Sequence, residues 1–161
     1  MAVLDDIREQ IKVILQGVPG IGVVHDYYRW ATDERKLLSL LQDADGRINA
    51  VMFRREKMVK RKITIGTGPL ERAHVWLICC IEGLKDDQAT GLSFDSQLAG
   101  IEEAFERKDN LNGVCLTINP DWGPMAGAAG VQIDLSEDRQ IGGILCHYAE
   151  MRLCTVERNE R

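Results

Sequence analysis

The sequence predicts an α+β fold: a mostly antiparallel or mixed β-sheet of about five to six strands packed with about three helices in a single domain, residues 1–161. Three observations carry this. Apolar residues recur at helical spacing in the first sixteen positions, a long internal segment is apolar on both faces of a strand, and Gly/Pro clusters divide the chain into short alternating stretches.

Leu4, Ile7, Ile11 and Ile14 fall on one helical face over residues 3–16, with Asp5 and Asp6 in the first turn, where the helix dipole favours negative charge. Gly17 and Pro19-Gly20 end that helix. Residues 21–30, rich in β-branched and aromatic types, read as a strand. Thr32 can cap a short second helix whose apolar face is Leu37, Leu38 and Leu41, and Asp43-Ala44-Asp45-Gly46 turns the chain.

Next comes a hairpin, with one strand over residues 48–58, extendable to 65, and a second over 72–84, joined by Gly66-Thr67-Gly68-Pro69. Val75, Leu77, Cys79 and Ile81 lie on one face of the second strand and Trp76, Ile78 and Cys80 on the other. A strand apolar on both sides belongs in the middle of a covered sheet. Thr90 or Ser93 begins a third helix with the stripe Leu98, Ile101, Ala104 and Phe105, ended by residues 110–113. Strands are predicted at 114–118, 131–135 and 144–156. Between the first two lies a Gly/Pro-rich loop, 119–130, in which Trp122 could anchor a contact. Residues 157–161 read as a short tail.

At 161 residues the chain can bury roughly two-thirds of its unfolded surface. Its 45% hydrophobic and 28% charged residues argue against disorder or a disulfide scaffold. The charged N-terminus lacks the apolar core of a secretory signal, and no apolar run approaches the ~18 residues of a membrane span, so a cytoplasmic protein without a membrane partner is expected. The five cysteines, Cys79, Cys80, Cys115, Cys146 and Cys154, sit in apolar runs without metal-ligand spacing and read as core residues.

Charge is unevenly spread. From Arg54 to Lys62 six positive charges face one negative, so this stretch carries +5 and, with −5 in all, the remainder carries −10. Arg54, Arg55, Lys57, Lys60, Arg61 and Lys62 form either a solvated hairpin arm or a contact arm for an acidic partner surface or phosphate. The run has no aromatic residue and the chain is acidic, which favours a protein partner over sequence-specific nucleic-acid reading.

No phosphate loop, nucleophile elbow or zinc-helix motif is present in the sequence, and the neighbouring pairs His25-Asp26 and Cys146-His147 point to opposite faces of their strands. His25, His74 and His147 all fall on predicted strands and read as core or interface histidines. The residues therefore suggest no catalytic, cofactor or metal site. A small-molecule-binding enzyme would need a deep pocket joining one of these histidines to a carboxylate.

The order of elements carries a resemblance. A leading amphipathic helix, a strand ending His25-Asp26-Tyr27, a basic hairpin and a central strand ending Cys80-Ile81-Glu82-Gly83-Leu84 are followed by a helix and strands. These close in Tyr148-Ala149-Glu150-Met151-Arg152-Leu153-Cys154-Thr155-Val156-Glu157. The chain resembles the tail terminator (tail completion) proteins of long-tailed bacteriophages. The resemblance implies a non-enzymatic virion protein, assembled in the host cytoplasm. It would form a ring, usually hexameric, on the head-proximal end of the tail tube. Its partners would be further copies of itself, the major tail tube protein and the head-neck connector, with viral DNA passing through the channel without sequence-specific binding. On that reading the basic arm lines a subunit or tube contact, together with Trp122, and a neighbouring subunit buries the mixed face Tyr148, Glu150 and Arg152 of the closing strand. Another neck or tail-tube component is the alternative within the same tail.

Overall fold

The structure, a computed structural model, describes residues 2–159. Its three helices and five strands run α1 (Ala2–Gln16), β1 (Val23–His25), α2 (Glu34–Leu41), β2 (Asn49–Lys62), β3 (Leu70–Gly83), α3 (Thr90–Glu106), β4 (Gln132–Ile141) and β5 (Ile144–Asn159). The strands form one mixed sheet in the order β1-β2-β3-β5-β4. Only the β1–β2 pairing is parallel. This is the predicted α+β class, with β3 at the centre.

Both faces of β3 are buried, by different elements. On one face, Trp76, Ile78 and Cys80 join Phe53 of β2 and Met151 and Leu153 of β5 beneath Ile7, Ile11 and Leu15 of α1 and Phe94, Leu98, Ile101 and Phe105 of α3. On the other, Cys79 and Ile81 pack with Met52, Cys146 and Tyr148 under Leu41 of α2. Alternation along the strand therefore sends Cys79 and Cys80 into separate cores. A smaller cluster, Ala73, Cys154 and Val156, lies at the far end of the second face beneath Trp122 and Met125.

Several boundaries differ from expectation. Strand β1 is confined to Val23–His25, because beyond it the Asp26 carbonyl accepts from Arg8 of α1 at 2.7 Å and the chain leaves the sheet edge. Asp33, not Thr32, caps α2: its carboxylate accepts from the backbone N–H groups of Arg35 (2.9 Å) and Lys36 (3.1 Å). Residues 114–118 form no strand. Thr117 makes a single bridge to Val156, and the segment is drawn back to the end of α3 by Ile118 N–H donating to Asp109 C=O at 2.7 Å. The expected tail is part of the sheet through Asn159, which pairs with Leu70; residues 160–161 lie outside the described residues.

Strand β4 is longer than predicted and joins β5 through Gly142 and Gly143, with φ of 57° and 74°. Two successive left-handed residues are what a two-residue hairpin turn needs to follow the sheet twist.

Candidate functional site

The β2–β3 hairpin and the C-terminal half of β5 form one end of the sheet, and the basic run lies there. Because β1 reaches only as far as Met52, β2 from Phe53 to Lys62 has no strand on its outer side. A bulge at Glu56 shifts the register between Arg55 and Lys57. Arg54, Arg55, Lys57, Lys60, Arg61 and Lys62 are all exposed. Exposed Lys/Arg and a bulge also guard an open edge against indiscriminate strand pairing.

The arm is only partly free. Arg54 stacks over Tyr28 at 4.9 Å. Arg61 donates to the carboxylate of Glu71 at 2.8 Å and lies 4.6 Å above the Trp122 ring. Glu71 is 2% exposed and also accepts from Arg158 at 2.8 Å. Burial would raise its pKa, but the hydrogen bonds from Arg158 and Arg61 outweigh that and hold it below the usual carboxylate range. Lys62 reaches only the Gly66 carbonyl, at 3.2 Å.

Trp122 is half-buried on its own sheet, and its loop is tied down by Gly127 N–H to Pro120 C=O and Gly130 N–H to Asn119 Oδ1, both 2.8 Å. The closing strand's mixed face is likewise matched inside the subunit. Tyr148 is 5% exposed, lies under Arg139, and donates its hydroxyl to Glu150 at 2.9 Å. Arg152 holds Glu56 and Asp134. These three residues need no neighbour to satisfy their polar groups.

The sequence reading missed the apolar tip of the hairpin. Ile63 is 41% exposed and Ile65 fully exposed, immediately beyond the basic run. The signal was the Ile-Thr-Ile alternation before Gly66, which also fits a strand end. Tyr27 and Trp30, after β1, are more than half exposed.

The opposite end of the sheet carries a cluster of carboxylates, of which Glu137 is paired with Arg139. Asp86, Asp95, Glu137 and Asp138 surround an open cavity of 620 Å³ that also reaches His147. From His147 to Asn159, strand β5 runs roughly 40 Å at ~3.3 Å per residue, so the tip of the basic arm at Lys62 lies about that far along the sheet, while Arg54, level with Arg152, lies about 16 Å along it.

The three histidines do not converge. His25 bonds the Leu40 carbonyl at 2.8 Å on the α2 face. His74 and His147 share the α1/α3 face, but His74 pairs with Thr155, roughly 26 Å along β5 from His147. No group of three or more metal-ligating side chains occurs among the described residues. His147 stacks on Phe94, with Nδ1 3.1 Å from Asp138 Oδ1 and Nε2 2.9 Å from Thr90 Oγ1. Thr90 Oγ1 also accepts from Lys85 N–H at 2.8 Å and lies 3.2 Å from Lys85 C=O, so it clamps the loop that starts α3. Burial pushes the Cys79 and Cys154 thiols up to about 11, which keeps both protonated and unreactive at neutral pH.

No protein-family model matches the chain, and neither does any curated protein.

Proposed function

We propose that this protein is a structural component of a long bacteriophage tail. It forms the terminator ring that caps the head-proximal end of the tail tube, stops tube polymerisation and presents a surface to the head-neck connector. The observation that carries this reading is the charge polarity of the subunit: a basic, open-edged hairpin at one end and a cluster of carboxylates roughly 40 Å from its tip at the other. Complementary surfaces at opposite ends favour head-to-tail contacts, which close into rings when the rotation per subunit divides a full turn. The exposed Ile63 and Ile65 give the basic arm an apolar tip, the combination that anchors and steers a protein contact. The element order that resembles tail terminators supports the same reading and implies six copies. An acidic remainder facing the channel would repel passing DNA.

The test is the mass of the purified protein across concentration, by light scattering after gel filtration, with negative-stain images of any large species. Single-layer rings support the terminator. Long stacks of rings would instead assign it to the tube, and a monomer at every concentration, with no binding to tail-tube ends, would sink the ring.

A second reading, a hydrolase, is favoured by one observation. Asp138, His147 and Thr90 stand in the hydrogen-bond order of carboxylate, base and hydroxyl nucleophile. Thr90 is only 9% exposed and its hydroxyl is already engaged by Lys85, which places the clamp role first. Ester hydrolysis abolished by Thr90→Ala, with the fold intact, would reverse that order.

A further inference from the structure

A second cavity, of 370 Å³, lies on the α1/α3 face at the basic end, between the first turn of α1 and the extended part of the sheet. Its floor lies apart from the acidic end, while its rim residues Arg55 and Lys60 belong to the basic arm of β2, so binding is tested on the unassembled chain. Its volume is at the lower end of the ~300–1,000 Å³ usual for small-ligand sites.

The floor is polar, buried and incompletely satisfied. His74 is 2% exposed, and neither ring nitrogen has a hydrogen-bond partner among the described residues. Its Nε2 stands 3.5 Å from Glu157 Oε1, too far for a firm hydrogen bond. Arg72 holds that same oxygen at 3.3 Å, which leaves Glu157 Oε2 buried and without a donor. Buried polar atoms of this kind are nearly always paired, so these call for a partner, which a ligand atom or a water can supply.

The walls state the rest of the ligand. A carboxylate oxygen accepts only, so Glu157 Oε2 calls for an N–H or O–H donor, and the neutral His74 ring can take one more at its unprotonated nitrogen. At the rim, Arg55 and Lys60 are exposed and have no ion-pair partner among the described residues, which calls for an anion. Val3, Leu4 and Met58 supply an apolar wall. A donor, an anion and an apolar group within one small cavity are the three parts of a single α-amino-acid residue.

The geometry points to a binding site for an apolar α-amino-acid residue with a free carboxylate. Its N–H donates to Glu157 Oε2, with a second N–H for His74 only where the nitrogen is a free ammonium, its carboxylate meets Arg55 and Lys60, and its side chain lies on Val3, Leu4 and Met58. Such a group exists as the last residue of a protein chain or as a free amino acid, and the two differ in the charge on nitrogen.

The test is an NMR titration of the full chain, following the His74 ring signals, with N-acetyl-L-leucine as the chain-end probe, L-leucine as the free amino acid and N-acetyl-L-leucinamide lacking the carboxylate. Saturable shifts are expected, with the amide roughly tenfold weaker and the Arg55→Gln/Lys60→Gln double variant weakening the acid by about the same factor. Both substituted residues are exposed, so the variant keeps its fold, checked by its amide spectrum. Tighter binding of N-acetyl-L-leucine identifies a chain end, and tighter binding of L-leucine identifies the free amino acid. The proposal is overturned if neither saturates the His74 shifts by about 20 mM, or if the amide binds as tightly as the acid.

Discussion

Arg152 of β5 reaches across β3 to Glu56 of β2, with Nε donating at 2.8 Å and Nη2 at 3.0 Å to the two carboxylate oxygens. The pair spans the strands on either side of Leu77, the β3 residue in register with both Arg54 and Arg152, and ties down the bulge that Glu56 occupies. Both side chains are about one-third exposed, so solvent screens the pair. Arg152→Met is therefore expected to cost only about 1 kcal/mol. Urea denaturation checks this, and an unchanged midpoint would show that the pair adds nothing net. The hydrogen bond from Arg152 holds the Glu56 carboxyl below its ordinary value. That contribution is present above the ordinary carboxylate pKa and is lost as pH falls through the lowered one.

Trp76 Nε1–H donates to Thr155 Oγ1 at 2.9 Å, and both residues are fully buried. Thr155→Val keeps the shape but leaves the indole N–H unpaired, so a loss of roughly 1–3 kcal/mol is expected. Thr155→Ser should recover part of it. Equal stability of the Val variant and wild type in a denaturant titration would contradict this account.

Burial is the largest effect on His74 and lowers its pKa. Glu157 acts in the opposite sense, and Arg55 and Arg72 reinforce the lowering. The unfolded chain then binds a proton that the folded chain refuses. Stability from this group is complete above the ordinary histidine pKa and falls as pH drops from there towards the lowered value. Thermal melts between about pH 7 and 5 should show a steeper loss in wild type than in His74→Phe. Parallel curves would mean that His74 titrates alike in both states.

Gly22 precedes β1, where a Cβ would lie 1.8 Å from the Asn49 carbonyl oxygen. That atom belongs to the backbone of β2 and cannot move aside cheaply. Gly22→Ala should displace β1 and destabilise the fold by roughly 2 kcal/mol or more. A normally stable Ala variant, measured by thermal unfolding, would show that β1 is not held at this approach.

If oppositely charged ends join neighbouring copies, Lys57→Glu/Lys60→Glu should abolish or sharply weaken assembly. Adding Glu137→Lys/Asp138→Lys should restore it, because the swap rebuilds complementarity with the signs reversed. All four positions are exposed; because Asp138 bonds His147 and Glu137 pairs with Arg139, the fold of each variant is checked by circular dichroism before assembly is compared. Assembly by the first variant equal to wild type at low salt would remove these residues from the contact.

The helices, the hairpin and the central place of β3 were legible in the sequence because each rests on a local period. Ile7, Ile11 and Ile14 share a helical face whatever surrounds them, and Trp76 and Leu77 point to opposite faces of any strand. The basic arm was legible for the same reason, as a run of neighbouring residues. Residues 114–118 misled because β-branched and apolar types predict a strand without saying whether a partner edge is open. There the chain crosses β5 at one bridge and is held back by Asp109.

The sequence by itself determined where the helices, the hairpin and the closing strand run, which faces are apolar and where positive charge is concentrated. All three depend on residues within a few positions of one another. The tertiary structure alone decided which distant groups meet: Arg152 and Glu56, 96 residues apart, Thr90 and His147, 57 apart, and the His74–Glu157 floor of the cavity. These contacts depend on strand order and register, which are set by the packing of whole faces and leave no trace in local spacing.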